Sequence, residues 1–143
     1  MGTIERTASI GEAFEGQPKL MSLERLWAFS GGPFAAEGWP RSNIHTDLDT
    51  AKASGLSTVA ASGTQFQGHL AQLMIELFGR RWLSDGTMDV RFTRPVDAGE
   101  TLIARAEVTN REETESGVRF SFDVSCANRE GNVCLAGTAT GIC

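Results

Sequence analysis

Ser62-Gly63-Thr64-Gln65-Phe66-Gln67-Gly68-His69-Leu70-Ala71-Gln72-Leu73-Met74-Ile75-Glu76-Leu77-Phe78 is the most strongly patterned stretch of this 143-residue chain. Phe66, Leu70, Leu73, Met74, Leu77 and Phe78 fall at i, i+4, i+7, i+8, i+11 and i+12, one apolar stripe on a helix predicted over 63–79. A stripe that wide needs a second layer to cover it. The chain supplies one downstream, where the period changes from 3.6 to 2. Met88-Asp89-Val90-Arg91-Phe92-Thr93-Arg94 alternates until Pro95, and Asp97-Ala98-Gly99-Glu100 is a turn. Alternation resumes over 101–109, 118–126 and 133–142, with turns predicted at 110–116 and 128–132. The pattern predicts an α+β fold: a long central helix wrapped by an antiparallel β-sheet.

Upstream, 11–16 flanks a first strand that Pro18 ends. Ser22 is placed to cap a helix over 23–30, with Leu23, Leu26 and Trp27 on one face and Gly31-Gly32-Pro33 as the stop. Residues 33–42 form a loop too irregular for helix or strand, the kind of segment that carries function when rigid elements hold it. Asp47 caps a short helix over 48–54, which Gly55 closes.

Composition narrows the classes. The length predicts a single domain over 1–143 with a real core. No apolar run is long enough to span a bilayer, and the first six residues lack the layout of a signal peptide, so a cytoplasmic protein is expected. A net charge of −5, with no basic cluster beyond Arg80-Arg81, argues against nucleic acid as a partner. Cys126, Cys134 and Cys143 are an odd count without metal-ligand spacing, so free thiols and no metal are expected.

Five stretches, in this order and spacing, resemble the MaoC-like dehydratases. They are Phe29-Ser30-Gly31; Asn43-Ile44-His45-Thr46-Asp47 followed by Ala51-Lys52-Ala53-Ser54-Gly55; Ala61-Ser62-Gly63; Arg91-Phe92-Thr93-Arg94-Pro95-Val96-Asp97-Ala98-Gly99-Glu100-Thr101-Leu102; and Leu135-Ala136-Gly137-Thr138-Ala139-Thr140. That family, which includes the (R)-specific enoyl-CoA hydratases, implies a hotdog fold, pairing with a second subunit as a homodimer or larger homo-oligomer, acyl-CoA or acyl-carrier-protein thioesters as ligands, and no cofactor. Its reaction adds water reversibly across a 2,3-double bond. The resemblance makes His45 the acid/base and the Gly63 N–H the donor that polarises the thioester carbonyl. The chain also departs from the family. The family reads Ser-Gly-Asp, one residue, Asn-Pro, one residue, His. Here the aspartate is missing: Gly32 takes its place counting from Ser30-Gly31, and Pro40 counting back from His45. About eight extra residues precede Asn43.

The candidate site follows from these assignments. A histidine, with a reference pKa near about 6.5, exchanges protons at neutral pH. The N-terminus of a helix offers free N–H groups to an oxyanion. Glu37, in the inserted loop, is the candidate replacement carboxylate. Ser42 and Asn43 would orient a water or hold the His45 tautomer. Ser62 and Thr64 add polar groups beside Gly63; Trp39 and Phe34 are candidates to line an acyl pocket; Arg91 is a candidate for CoA phosphates. Asp47 is explained by its helix cap, and His69 by a structural place on the flank of the apolar stripe. Two other readings remain open: a diverged enzyme that cyclises or isomerises a specialised metabolite, and a non-catalytic thioester-binding subunit. A hotdog thioesterase fits less well, because the long helix has Glu76 as its one carboxylate, near its far end.

Overall fold

Helix α3 (Gly63–Phe78) turns its stripe inward, with Phe66, Leu70, Leu73, Met74, Leu77 and Phe78 all buried. The computed structural model describes residues 4–143, so the first three residues of the N-terminal stretch lie outside the described residues. Ahead of α3 come β1 (Ala13–Glu15), β2 (Lys19–Leu20), α1 (Leu23–Ser30) and α2 (Leu48–Ala53). After it come α4 (Trp82–Asp85), β3 (Thr87–Phe92), β4 (Thr101–Thr114), β5 (Gly117–Asn128) and β6 (Val133–Ile142). The strands form one antiparallel sheet in the order β1-β4-β5-β6-β3, with β2 also pairing β4.

Alternation along the strands decides which face meets α3. On β5, Val118, Phe120, Phe122, Val124 and Cys126 are buried while Arg119 and Asp123 are exposed. Phe78 of α3 meets Phe122 edge-on with ring centroids 5.8 Å apart, and Phe120 lies beside both. Burying residues of this size, at about 25 cal/mol per Å² of apolar surface, is what holds helix to sheet.

Several boundaries differ from the sequence reading, each for a local reason. β4 does not stop at 109. The register shifts between Val108 and Asn110, and the strand continues to Thr114, paired with Gly117. Past that bulge the residues are mostly exposed and polar, which is why 110–116 read as a turn. The turn itself is reduced to Glu115 and Ser116. α2 ends at Ala53 with Ser54 as its C-cap, and α3 ends at Phe78, with Gly79 at φ 67° closing it. β3 ends at Phe92, although Thr93 N–H still donates to the Cys134 carbonyl at 3.0 Å. β2 and α4 were not anticipated; they span two and four residues, too short for a periodic signal. Neither 118–126 nor 133–142 is an edge strand, since β5 and β6 have neighbours on both sides; β3 is the edge at that end of the sheet. Cys126, Cys134 and Cys143 are free. Among the described residues no helix is long and apolar enough to cross a membrane.

Candidate active site

The loop carrying His45 is fixed at both ends by helices. Asp47 caps α2: its Oδ2 accepts from the Thr50 hydroxyl at 2.6 Å and from Thr50 N–H at 2.9 Å. Those bonds, the hydroxyl first, hold its carboxyl below the usual carboxylate range. Asp47 therefore serves the helix, as its spacing predicted. At the other end Trp27 of α1 donates its indole N–H to the Thr46 carbonyl at 3.1 Å.

Asn43, ahead of those anchors in the chain, organises the turn. Its Nδ2 donates to the Ser30 carbonyl at 3.0 Å, and its Oδ1 accepts from His45 N–H at 2.9 Å. Its own N–H donates to the hydroxyl of buried Thr46 at 3.2 Å, and that hydroxyl donates to the Arg41 carbonyl at 3.3 Å. His45 is half-buried, and its Nδ1 lies 2.7 Å from the Ala60 carbonyl oxygen. A carbonyl only accepts, so Nδ1 carries a proton and the bond to Ala60 leaves Nε2 as the other ring nitrogen. Ala60 N–H returns a bond to the Ile44 carbonyl at 3.1 Å. Ala60 lies three residues before Gly63, so these two bonds fix the His45 loop to the segment that leads into α3.

At that start, Ser62 holds the N-cap position but its side chain does not cap; its hydroxyl lies 3.0 Å from the Thr64 hydroxyl instead. The first N–H groups of α3 are thus left without a side-chain acceptor. A Cβ on Gly63 would come 2.8 Å from the Phe92 ring, so only glycine lets that half-exposed aromatic lie over the helix start. Ser62, Gly63, Thr64, Phe66 and Phe92 line a cavity of about 550 Å³ that opens to solvent.

Arg94 also borders this cavity but is occupied. It binds Glu100 through both Nη atoms, at 2.7 and 3.2 Å. Burial pushes the Glu100 carboxyl up, yet the bonds from Arg94, Asn128 and the Asp97 N–H outweigh it and hold the group below its ordinary value. Arg91 is exposed on β3 and lines neither this cavity nor the one described next.

The insertion is looped out from the family pattern. The chain leaves α1 through Gly31 and Gly32 at φ 106° and 71°, and it returns at Pro40, whose carbonyl oxygen is 3.3 Å from where a Gly31 Cβ would sit. Both positions that the missing aspartate could occupy, Gly32 and Pro40, lie at this neck, and neither offers a carboxylate. Glu37 is exposed on the loop, with no hydrogen bond to His45. Ser42 is likewise exposed. Phe34, Trp39 and Asn43 line a second cavity, of about 470 Å³.

The structure therefore joins His45 and Asn43 in one hydrogen-bonded turn that is tied to Ala60, three residues before Gly63, with Ser62 and Thr64 beside Gly63. It leaves Glu37, Ser42 and Arg91 outside that arrangement. Trp27, Thr46, Ala60 and Phe92 were missed. Ala60 and Thr46 act through main-chain carbonyls, which no residue type announces, and Trp27 read as part of an apolar helix face. His69, on the flank of α3, is half-buried; burial first, then the charges of Lys19 and Arg25, push its pKa down to about 4.

A long helix packed on a curtain of antiparallel strands, with a histidine loop hydrogen-bonded to the approach to the helix N-terminus, defines a hotdog-fold protein. Residues 33–125 match the MaoC-like domain family, and the chain belongs to that family. A monoamine oxidase regulatory protein from Archaeoglobus is 26% identical, with 94% of this chain and 89% of that one covered and a TM-score of 0.68. The (R)-hydratase PhaJ1 of Pseudomonas aeruginosa is 20% identical over 93% of this chain and 80% of its own, with a TM-score of 0.71. The HadBC (3R)-hydroxyacyl-ACP dehydratase complex of Mycobacterium tuberculosis is 17% identical over 95% and 98%, with a TM-score of 0.65. No match was found among curated proteins.

Proposed function

We propose that this protein is a hydratase or dehydratase acting on 2-enoyl or 3-hydroxyacyl thioesters of CoA or an acyl carrier protein. The observation that supports the reading is the bond from His45 Nδ1 to the carbonyl of Ala60, three residues ahead of the uncapped start of α3, with Nε2 as the acid/base of the proposed mechanism. In the hydration direction Nε2 takes a proton from water as it attacks C3. The Gly63 N–H meets the negative charge that gathers on the thioester oxygen, and the proton is then delivered to C2. Asn43 keeps the histidine backbone in place. The second acid/base group is a water or Glu37, reaching in when substrate orders the loop.

The cavity at the α3 start includes Phe92 of β3, the sheet edge. A second copy pairing along that edge would wall it, which supports a homodimer.

A second reading has its own support. With no carboxylate at the Gly31–Pro40 neck, one histidine and an oxyanion site still suffice to deprotonate carbon next to a carbonyl, which fits cyclisation or isomerisation of a specialised thioester. A coupled absorbance assay with crotonyl-CoA separates the two. Hydration by the wild type that is lost in His45→Ala, and also in Glu37→Gln, establishes a hydratase with a relocated carboxylate. Loss in His45→Ala alone leaves water as the second group. No hydration by the wild type, of crotonyl-CoA or of the bulkier cinnamoyl-CoA, retires the hydratase reading in favour of the second, and undiminished activity in His45→Ala would remove His45 from the mechanism.

A further inference from the structure

The looped-out insertion builds a site of its own. Between its neck at Gly31 and Pro40 it folds back over the end of α1, and together they enclose the cavity of about 470 Å³. Trp27, Phe29, Phe34 and Trp39 supply its walls, and none of its lining residues carries a charge. Phe34 sets its edge against Trp27 at 6.1 Å between ring centroids. Phe29, Phe34 and Trp39 are nonetheless 52%, 62% and 71% exposed. Three large aromatic residues left half open around one concavity is the signature of a ligand site rather than of a core.

The cavity is coupled to the chemistry through one side chain. Asn43 lines it, binds the Ser30 carbonyl at its rim, and holds the His45 N–H with its other atom. A group seated there touches the side chain that holds the His45 backbone.

We infer that this aromatic cavity receives the far end of the substrate's acyl group, and that the acyl group is large, uncharged and preferably aromatic. The assignment rests on the thioester reading above and narrows it from any acyl chain to a bulky apolar one. A volume of about 470 Å³ far exceeds the need of a two- or three-carbon tail, while sites of roughly 300–1,000 Å³ hold ligands of drug size. Aromatic walls favour a ring that can stack or meet them edge-on. The absence of charge in the lining selects against a carboxylate or ammonium at that end.

The test uses saturated thioesters, which cannot react, so that binding is read apart from catalysis. Calorimetric titration of the whole protein compares 3-phenylpropionyl-CoA with butyryl-CoA. The wild type is expected to bind the aryl thioester at least about tenfold more tightly, the gain of a few buried apolar carbons. Trp39→Ala and Phe34→Ala should each bring that ratio close to one; both side chains are largely exposed, so their loss leaves the core intact, and thermal unfolding confirms it. Equal binding of the two thioesters by the wild type overturns the inference. So does a preference that survives in both variants, which would put the ring elsewhere. Failure to bind either thioester overturns this inference and the thioester reading together. A clear aryl preference in a protein that hydrates neither crotonyl-CoA nor cinnamoyl-CoA sinks the hydratase reading and leaves the cavity assignment standing.

Discussion

His45 and Asn43 divide the labour of one turn, and mutation should separate them. His45→Ala removes a proton-transfer group, worth on the order of 10²–10⁴ in rate, and one bond to Ala60. Asn43→Ala leaves the His45 N–H and the Ser30 carbonyl without their partner, at about 1–2 kcal/mol in stability. Activity should therefore collapse in both variants, while the unfolding midpoint falls clearly further in Asn43→Ala; equal midpoints would mean that Asn43 does not hold the turn. His69 gives a second residue-level prediction. Folded, its pKa is about 4; unfolded, it titrates near 6.5. The unfolded chain therefore binds more protons between those values, so the His69 contribution to stability is whole above pH 6.5 and is lost as pH falls towards 4. The facing groups, Lys19 and Arg25, are both cationic and drive the same way. The midpoint should drop from pH 7 to pH 5 by less in His69→Gln than in the wild type, and parallel drops would show that His69 plays no part. Of the candidate site, a motif spacing names His45, Asn43 and Gly63, and the hydrogen bonds of His45 and Asn43 lie in the loop that this spacing marks. The Ala60 carbonyl could not be named so, because main-chain contacts depend on where two distant segments meet.

The elements were legible where a period persists. α3 has four turns of unbroken apolar stripe, and the turn predicted at 128–132 places β6 well enough that its limits, Val133–Ile142, match the predicted 133–142. Legibility failed where the period breaks: the bulge between Val108 and Asn110 hid the far half of β4. One pairing depends on a residue that carries no side chain at all. Gly137 of β6 faces Val90 of β3, and a Cβ there would press into the Asp89 carbonyl and the Val90 backbone. Backbone cannot swing aside as a side chain does. Gly137→Ala is expected to strip β3 from the sheet edge and to cost about 1–3 kcal/mol, the usual range for forced overpacking. Hydrogen exchange would show it directly: protection should be lost along Thr87–Phe92 and kept in β4 and β5. Uniform protection would mean that the strands have room this geometry denies them.

At the scale of the molecule, the sheet ends unevenly. Its β1 and β2 side is closed by strands of three and two residues, short enough to offer little template. Its other side ends in β3, six residues without proline, flanked by an exposed Phe92 and by the cavity at the start of α3. Alternation alone does not reveal that β3, and not β5 or β6, is the edge, because strand order depends on long-range pairing that alternation does not encode. The prediction is a homodimer formed along β3. Light scattering over a micromolar dilution series should give twice 15.4 kDa, falling to the single-chain mass only at high dilution. If the second copy walls the cavity, specific activity on a thioester should fall in step with the dimer, since the Gly63 N–H would face bulk water in the monomer and lose most of its pull on the oxyanion. A single-chain mass at every concentration would remove the dimer. A dimer whose activity survives dissociation would show instead that each chain encloses its own site, and the β3 edge would then serve assembly alone.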